Sequence, residues 1–69
     1  MEIFANRLKE LRHEKSMTLK QVSSLLDMPL MTYANYEQGK REPSLSTLYL
    51  LCDFYDVSAD YLIGRTDNY

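Results

Sequence analysis

Apolar residues recur every three or four positions along most of this 69-residue chain. That is the spacing of one face of an amphipathic helix. The first such stretch covers residues 2–15, and its apolar stripe consists of Phe4, Leu8 and Leu11. No stretch alternates between apolar and polar residues at period two, as a half-buried strand would. The pattern therefore predicts an all-α protein.

Capping and breaking residues divide the next part of the chain into two helices. Thr18 can accept a hydrogen bond from the backbone of Gln21, whose side chain can accept one in return, and this capping box predicts a helix over 18–26. Pro29 ends that helix because it lacks a backbone N–H and disfavours helical geometry at the residue before it. Its fixed φ suits the first turn of another helix, which we expect over 30–38.

Two further helices follow, each preceded by a serine that can cap its first turn. We expect them over 45–55 and 59–63. The connections are short, so residues 1–64 should form one domain, a bundle of five helices. Residues 65–69 should be a short, frayed C-terminal tail.

The spacing also predicts which side chains of the later helices face the core. These residues are large or apolar and recur at helical intervals. They are Val22, Leu25, Leu26, Tyr33, Tyr36, Leu45, Leu48, Leu51, Cys52 and Tyr55.

Composition narrows the class of protein. With 45% hydrophobic residues, two glycines and two prolines, the chain is too apolar for a disordered segment. Its one cysteine, Cys52, cannot form an internal disulfide, so we expect a cytoplasmic protein. No apolar stretch is long enough to span a membrane. We find no nucleophile–base pair, phosphate loop or metal-spaced Cys/His cluster, and therefore expect neither an enzyme nor a bound metal or cofactor.

Charge is distributed unevenly along the chain. Up to Arg41 there are seven basic and five acidic residues, an excess of +2, whereas from Glu42 onward there is one basic residue against five acidic ones, an excess of −4. A segregated field of this kind can steer the basic half toward an anionic partner. The alternative is an ordinary solvated surface, since the basic excess is small.

Three short motifs occur in order along the chain: RLKELR at 7–12, YEQGKREPS at 36–44 and VSADYLIG at 57–64. Together with two short helices joined by a turn, they resemble the Cro/CI-type (XRE-type) helix-turn-helix family, which has the lambda-repressor-like fold. The resemblance implies a small DNA-binding regulator, usually dimeric. It makes 30–38 the recognition helix, the one that enters the major groove.

The resemblance also assigns base-reading positions to Leu30, Met31 and Asn35, with Thr32 nearby. The carboxamide of Asn35 can bond adenine N6 and N7 together. Leu30 and Met31 carry no hydrogen-bonding group and can contact only thymine methyls. The alternative for these two residues is an apolar patch that contacts another protein.

Phosphate contacts are expected at two places, the start of the second helix and the loop after the third. Cations and donors there hold register without reading sequence. The residues are Thr18, Lys20, Gln21, Lys40 and Arg41. Lys15 and Arg7 are expected to add only to the positive electrostatic field of this half of the chain. For each lysine, the alternative is an ordinary solvated surface charge.

The family pairs an arginine that Arg12 matches with a glutamate that Glu37 matches, and this pair clamps the first helix to the third. The alternatives are that the two residues form only a surface pair, or that Glu37 contacts Lys40 or Arg41 locally; either would contribute little.

The chain departs from the family pattern at four positions. Leu19 stands where glutamine commonly contacts phosphate, and Pro29 where a capping Ser or Thr is favoured. Asp27 and Asp56 stand at turn positions where glycine is usual. Aspartate can adopt the left-handed geometry at a greater cost than glycine.

A second apolar row on the fourth helix consists of Tyr49, Leu50 and Phe54. With Tyr61 or Ile63 it would form a dimer seam; the alternative is that the last helical turn folds over it.

We therefore expect a transcriptional regulator, a repressor that binds operator DNA as a homodimer. The alternative is a protein-interaction module on the same fold, which would bind a regulatory partner or act like an antitoxin, with little DNA binding.

Overall fold

The structure, a computed structural model, describes all residues from Met1 to Tyr69. Five helices and no strand are present, which confirms the all-α prediction. The helices are α1 (Glu2–Glu14), α2 (Leu19–Leu25), α3 (Leu30–Glu37), α4 (Leu45–Tyr55) and α5 (Ala59–Leu62). Several of them end one residue earlier than expected, or begin one later, because residues such as Thr18 and Leu26 occupy cap positions.

Side-chain caps set the starts of three helices. At α2 the capping box is complete: Thr18 Oγ1 accepts from Gln21 N at 3.1 Å, and Gln21 Oε1 accepts from Thr18 N at 2.9 Å. Ser44 and Ser58 accept from backbone N–H groups of α4 and α5 in the same way. Each cap satisfies a donor that the helix itself cannot pair.

One hydrophobic core joins all five helices. Its contributors are mostly the large side chains that the helical spacing turns inward. They are Phe4, Leu8, Leu11, Val22, Leu26, Tyr33, Tyr36, Leu51, Tyr55, Val57, Tyr61 and Leu62. Phe4 and Tyr36 meet edge to face, with ring centroids 6.5 Å apart, so the core fixes α1 against α3.

Two leucines that the spacing assigned to the core are exposed instead: Leu25 is 62% exposed and Leu45 is 83% exposed. The buried face of α2 is formed by Val22, Leu26 and the small Ser23, and Leu25 lies to the side of it. Leu45 is the first residue of α4. Helical spacing defines a stripe, but only the partner helix determines how far along the stripe burial extends.

Residues 65–69 pack against the bundle, so the prediction of a frayed tail is wrong. The hydroxyl of Tyr69 donates to the Glu14 carboxylate at 2.8 Å, and its ring meets Tyr61 edge to face at 4.8 Å between centroids. The backbone N–H of Ser58 donates to the carbonyl of Tyr69 at 2.6 Å. These contacts come from three different parts of the chain, and local sequence does not reveal them.

Arg7 holds residues 65–69 in place, although the sequence predicted only a contribution to the electrostatic field. Its guanidinium donates to the carbonyls of Tyr61 and Thr66, and to the carboxylate of Asp67 at 2.8 Å. It also lies 4.2 Å from the centroid of the Tyr61 ring. Arg7 is therefore a structural residue that joins α1 to α5 and to residues 65–69.

Left-handed backbone occurs at three residues other than glycine. Ser16, Asp27 and Asp56 have φ of 55°, 55° and 56°. Asp56 is the C-cap of α4, and Asp27 follows the C-cap of α2. The expectation that both aspartates adopt the geometry usual for glycine is confirmed. No helix has both the length and the apolar character needed to cross a membrane.

Candidate nucleic-acid interface

The helix pair α2 and α3 is joined by a tight turn over residues 26–29. The amide of Met28 donates to the carbonyl of Ser23 at 3.0 Å, and the amide of Asp27 donates to that of Ser24 at 3.1 Å. Pro29 precedes the first residue of α3 and supplies no side-chain cap. The turn thus directs α3 away from α2 without a long loop, which is the arrangement of a helix-turn-helix.

The buried face of α3 defines its outward face. Tyr33, Ala34, Tyr36 and Glu37 are buried. With 3.6 residues per turn, Met31 and Asn35 lie one turn apart on the side opposite these residues.

All four residues predicted to read bases lie on α3, but their exposure differs. Met31 is 69% exposed and Leu30 is 48% exposed, whereas Thr32 and Asn35 are half-buried. Any groove that α3 enters would therefore meet the two apolar side chains first.

Three of the residues predicted to contact phosphate are exposed cations. Lys20 lies on α2, and Lys40 and Arg41 follow α3. None of the ion pairs in the structure includes any of the three. Their charges are therefore available to an anionic ligand.

The other two, Thr18 and Gln21, form the capping box of α2. The box occupies one acceptor oxygen of each side chain. The hydroxyl proton of Thr18 and the side-chain NH₂ of Gln21 are left as donors, which is the polarity that a phosphate oxygen needs. Both side chains line an open cleft of about 520 Å³, together with Lys20 and Leu25.

Arg12 and Glu37 form a bidentate ion pair between α1 and the last residue of α3. Arg12 Nε lies 2.8 Å from Glu37 Oε2, and Nη2 lies 3.0 Å from Oε1. The third guanidinium nitrogen donates to the carbonyl of Met17 at 2.9 Å, in the turn before α2. The Glu37 side chain is only 3% exposed, and its hydrogen bond raises the pKa of Arg12. Glu37 is therefore buried and bonded to Arg12, and it does not form an ion pair with Lys40 or Arg41.

A second polar contact in the core was missed by the sequence analysis. The hydroxyls of Tyr33 on α3 and Tyr55 on α4 are hydrogen-bonded to each other. Burial raises the pKa of Tyr55 to about 12 and raises that of Tyr33 further. Buried tyrosines usually find a hydrogen-bond partner for their hydroxyl. The only feature of the sequence that could have indicated this bond was the prediction of two inward tyrosines.

The residues predicted to form a dimer seam differ in their exposure. Tyr49 and Leu50 are exposed, and Phe54 and Ile63 are half-buried. Tyr61 is only 7% exposed because it lies between Arg7 and Tyr69. Tyr61 is therefore a core residue and is not available for a seam.

No group of three or more His, Cys, Asp or Glu residues is arranged to hold a metal ion. Burial and the neighbouring Asp53 raise the pKa of the half-buried Cys52 thiol.

Comparison with known families identifies a helix-turn-helix domain. The family model described as Helix-turn-helix matches residues 8–62, which include α2, the turn and α3. The matched region also contains both members of the Arg12–Glu37 pair.

Individual relatives are bacterial and phage regulators. The chain is 45% identical over 60 residues to the HTH-type transcriptional regulator AnsR of Bacillus subtilis, an alignment that covers 87% of this chain and 52% of the relative. It is 38% identical over 61 residues to the HTH-type transcriptional regulator ImmR of the same species, covering 88% and 48%. It is 28% identical over 65 residues to the cryptic phage CTXphi transcriptional repressor RstR of Vibrio cholerae, covering 94% and 59%. The chain thus spans about half the length of the curated relatives that it matches.

Proposed function

The chain belongs to the helix-turn-helix family, and from that membership we propose that it is a transcriptional regulator that binds double-stranded DNA through α3. The observation that carries the proposal is the surface around this helix. Leu30 and Met31 of this helix are exposed, and the cations on either side of it, Lys20, Lys40 and Arg41, have no ion-pair partner. A protein that binds a duplex needs such cations, because each phosphate contact releases a condensed counterion.

The two ends of this surface have separate roles in the proposal. Thr18, Lys20 and Gln21 hold one phosphate strand at the start of α2, and Lys40 and Arg41 hold phosphates beyond α3. Between them, α3 presents Leu30, Met31, Thr32 and Asn35 to the base edges. Leu19 is half-buried against the core and contributes nothing to phosphate binding, so the affinity depends on the remaining donors.

Fluorescence anisotropy with a labelled duplex, measured over a salt series, tests this function. Affinity should fall steeply with salt, and Lys40→Ala should weaken binding to all sequences and reduce the salt slope by about 1. Lys9→Ala removes an exposed lysine of α1 and is the matched control, which should leave the slope unchanged. Absence of duplex binding even at low salt would refute the proposal.

We further propose that the protein acts as a homodimer. The Cα atoms of the molecule extend over 28 × 23 × 19 Å, whereas half-sites on one face of the duplex are about 34 Å apart. One copy therefore contacts one half-site. The exposed Tyr49 and Leu50 support a seam on α4, and the half-buried Phe54 and Ile63 are the other members that we propose for it.

An apolar groove of about 280 Å³ adjoins this seam, lined by Leu45, Leu48, Tyr49, Cys52 and Ala59. In a two-fold interface the same surface of both copies must fit itself. Tyr49 of one copy could enter the apolar groove of the other, and the reverse contact would form at the same time. Sedimentation equilibrium should show dimers that Tyr49→Glu dissociates. His13→Glu adds the same charge at an exposed position of α1 and should leave them intact. A monomer at all concentrations would contradict the dimer without affecting DNA binding by one copy.

Repression is the mechanism that we propose: the bound dimer would occupy DNA that polymerase needs. One relative, RstR, carries the name of a transcriptional repressor. The protein would work in the cytoplasm with the genome, as a binding protein rather than an enzyme.

One observation favours a second function. Leu30 and Met31 are large exposed apolar residues, and such residues also serve protein contacts. The salt series separates the two functions, since a protein-interaction module would bind duplex DNA weakly or not at all.

A further inference from the structure

The four residues of α3 that are proposed to read bases share one chemical property: none of them is basic. Leu30 and Met31 are apolar, and Thr32 and Asn35 carry uncharged polar groups. In the major groove the commonest specific contact is made by an arginine or lysine to guanine O6 and N7. The recognition helix has no residue that can make it. If α3 reads DNA, as the proposed function requires, it lacks the side chains that most often read guanine, and its apolar and carboxamide groups favour A·T pairs.

Charge indicates that nucleic acid, and not another protein, covers the exposed apolar residues Leu30 and Met31. Between residues 15 and 41 the cations are Lys15, Lys20, Lys40 and Arg41. The acids in this range are Asp27 and Glu37, and Glu37 is buried and paired with Arg12. An apolar patch within a basic frame is complementary to a groove whose walls are phosphates and whose floor carries methyl groups.

We infer that α3 reads A·T base pairs, with Met31 and Leu30 contacting the C5-methyl group of thymine and Asn35 bonding adenine N6 and N7. Met31 and Asn35 lie one turn apart on the outward face, so their Cβ atoms are about 5–6 Å apart. Both can therefore reach neighbouring base pairs. Methionine suits the apolar contact because its unbranched side chain adapts to an irregular surface. The core of the operator half-site is thus an A·T step with thymine under Met31.

Selection of binding sites from a random duplex library is the first part of the test, and it should return A·T pairs at the centre of each half-site. In the second part each thymine of the selected site is replaced by uracil, which lacks only the methyl group. Loss of one buried methyl contact should weaken binding about four-fold. The thymine-to-uracil difference should disappear in Met31→Ala or in Leu30→Ala at the position that each residue contacts.

Lys40→Ala is the matched control for these variants. A phosphate contact carries no base information, so this variant should weaken binding to the thymine and uracil duplexes equally and preserve their ratio. Met31 is exposed, and thermal unfolding of Met31→Ala should match that of the unmodified protein. A change in the ratio of thymine-duplex to uracil-duplex affinity in Met31→Ala then reports the contact between Met31 and the base.

Each other outcome overturns the inference. Selected sites with G·C pairs at the centre contradict the A·T reading. Equal affinity for thymine and uracil duplexes contradicts the methyl contact. A uracil effect that persists in both Met31→Ala and Leu30→Ala places the effect in the shape of the duplex and not in these side chains. Failure to bind any duplex refutes the proposed function itself, whereas binding without methyl dependence refutes only this inference.

Discussion

Arg12 and Glu37 share two parallel hydrogen bonds, Nε to Oε2 at 2.8 Å and Nη2 to Oε1 at 3.0 Å. Glu37 is the last residue of α3, and Arg12 also holds the carbonyl of Met17 just before α2. One guanidinium therefore joins α1, the entry to the helix-turn-helix and the end of its second helix. The orientation of α3 on the bundle depends on this pair.

Replacing Arg12 with lysine keeps the positive charge but removes the planar guanidinium, whose nitrogens donate to Glu37 and Met17 at the same time. A single ammonium cannot make both bonds to Glu37 and also reach Met17, so we expect the free energy of unfolding to fall by about 1–2 kcal/mol. Urea denaturation followed by circular dichroism measures this. Arg65→Lys, in the exposed pair with Asp60 at 3.8 Å, is the matched control and should change little. Equal losses in the two variants would contradict the role of the clamp.

Asp27 and Asp56 have almost the same left-handed φ, 55° and 56°, but only Asp27 lies in the helix-turn-helix. Glycine adopts this backbone without the penalty of a Cβ, so Asp27→Gly and Asp56→Gly should each raise the free energy of unfolding by up to about 1 kcal/mol. Thermal denaturation measures the shift. Loss of stability in either variant would show that the aspartate side chain contributes more than its backbone strain costs.

Variants at the same two positions test the effect of charge near the proposed DNA surface. Asp27→Asn and Asp27→Gly remove a negative charge between α2 and α3, and we expect duplex affinity at low salt to rise in both. Asp56→Gly and Asp56→Asn remove the same charge at the end of α4 and should leave affinity nearly unchanged. Anisotropy titrations on one duplex compare the four. An equal rise at both positions would mean that only net charge matters.

Arg7→Ala should release residues 65–69 from the bundle. The variant loses the bonds to the carbonyls of Tyr61 and Thr66 and the contact with the Tyr61 ring. Hydrogen exchange at the amide of Ser58, which donates to the carbonyl of Tyr69, reports the release directly and should accelerate.

Asp67→Ala is the control for Arg7→Ala, because the Asp67 side chain is almost fully exposed and an exposed ion pair contributes little. Unchanged exchange at Ser58 in Arg7→Ala would show that the Tyr69–Tyr61 and Tyr69–Glu14 contacts suffice to hold the segment.

Stability should fall in alkali because the Tyr55 hydroxyl is buried. Burial raises the pKa of Tyr55 from 10.0 to about 12, so between these values the unfolded chain binds fewer protons than the folded one. The stabilisation is complete below pH 10 and is lost as pH rises toward 12, with a slope of about 1.4 kcal/mol per pH unit for this group.

Urea unfolding between pH 9 and 12 measures the slope, and Tyr55→Phe should reduce it. Tyr49→Phe, at an exposed tyrosine of the same helix, should keep it. A slope that is the same in Tyr55→Phe and in the unmodified protein would assign the alkaline loss to other groups.

The sequence predicted the helices well because their limits are set by neighbouring residues. Thr18 and Gln21 form the capping box that their spacing predicts, and Asp56 adopts the left-handed cap. The family resemblance also paired Arg12 with Glu37, which lie 25 positions apart in the chain and meet in the structure.

Most contacts between distant parts of the chain could not be predicted from the sequence. The roles of Arg7, Tyr61 and Tyr69 depend on how α1, α5 and residues 65–69 meet, and no local pattern encodes that meeting. The hydrogen bond between Tyr33 and Tyr55 likewise joins two helices whose relative position spacing does not specify.

By itself, the sequence determined where each helix begins and ends and which stripe of it is apolar, because hydrogen bonds and caps act within a few residues. The tertiary structure decided which part of each stripe is covered. Leu26 is buried and its neighbour Leu25 is exposed; Leu51 is buried and Leu45 is not. Burial depends on the partner that a side chain meets, and a partner exists only once the helices have packed together.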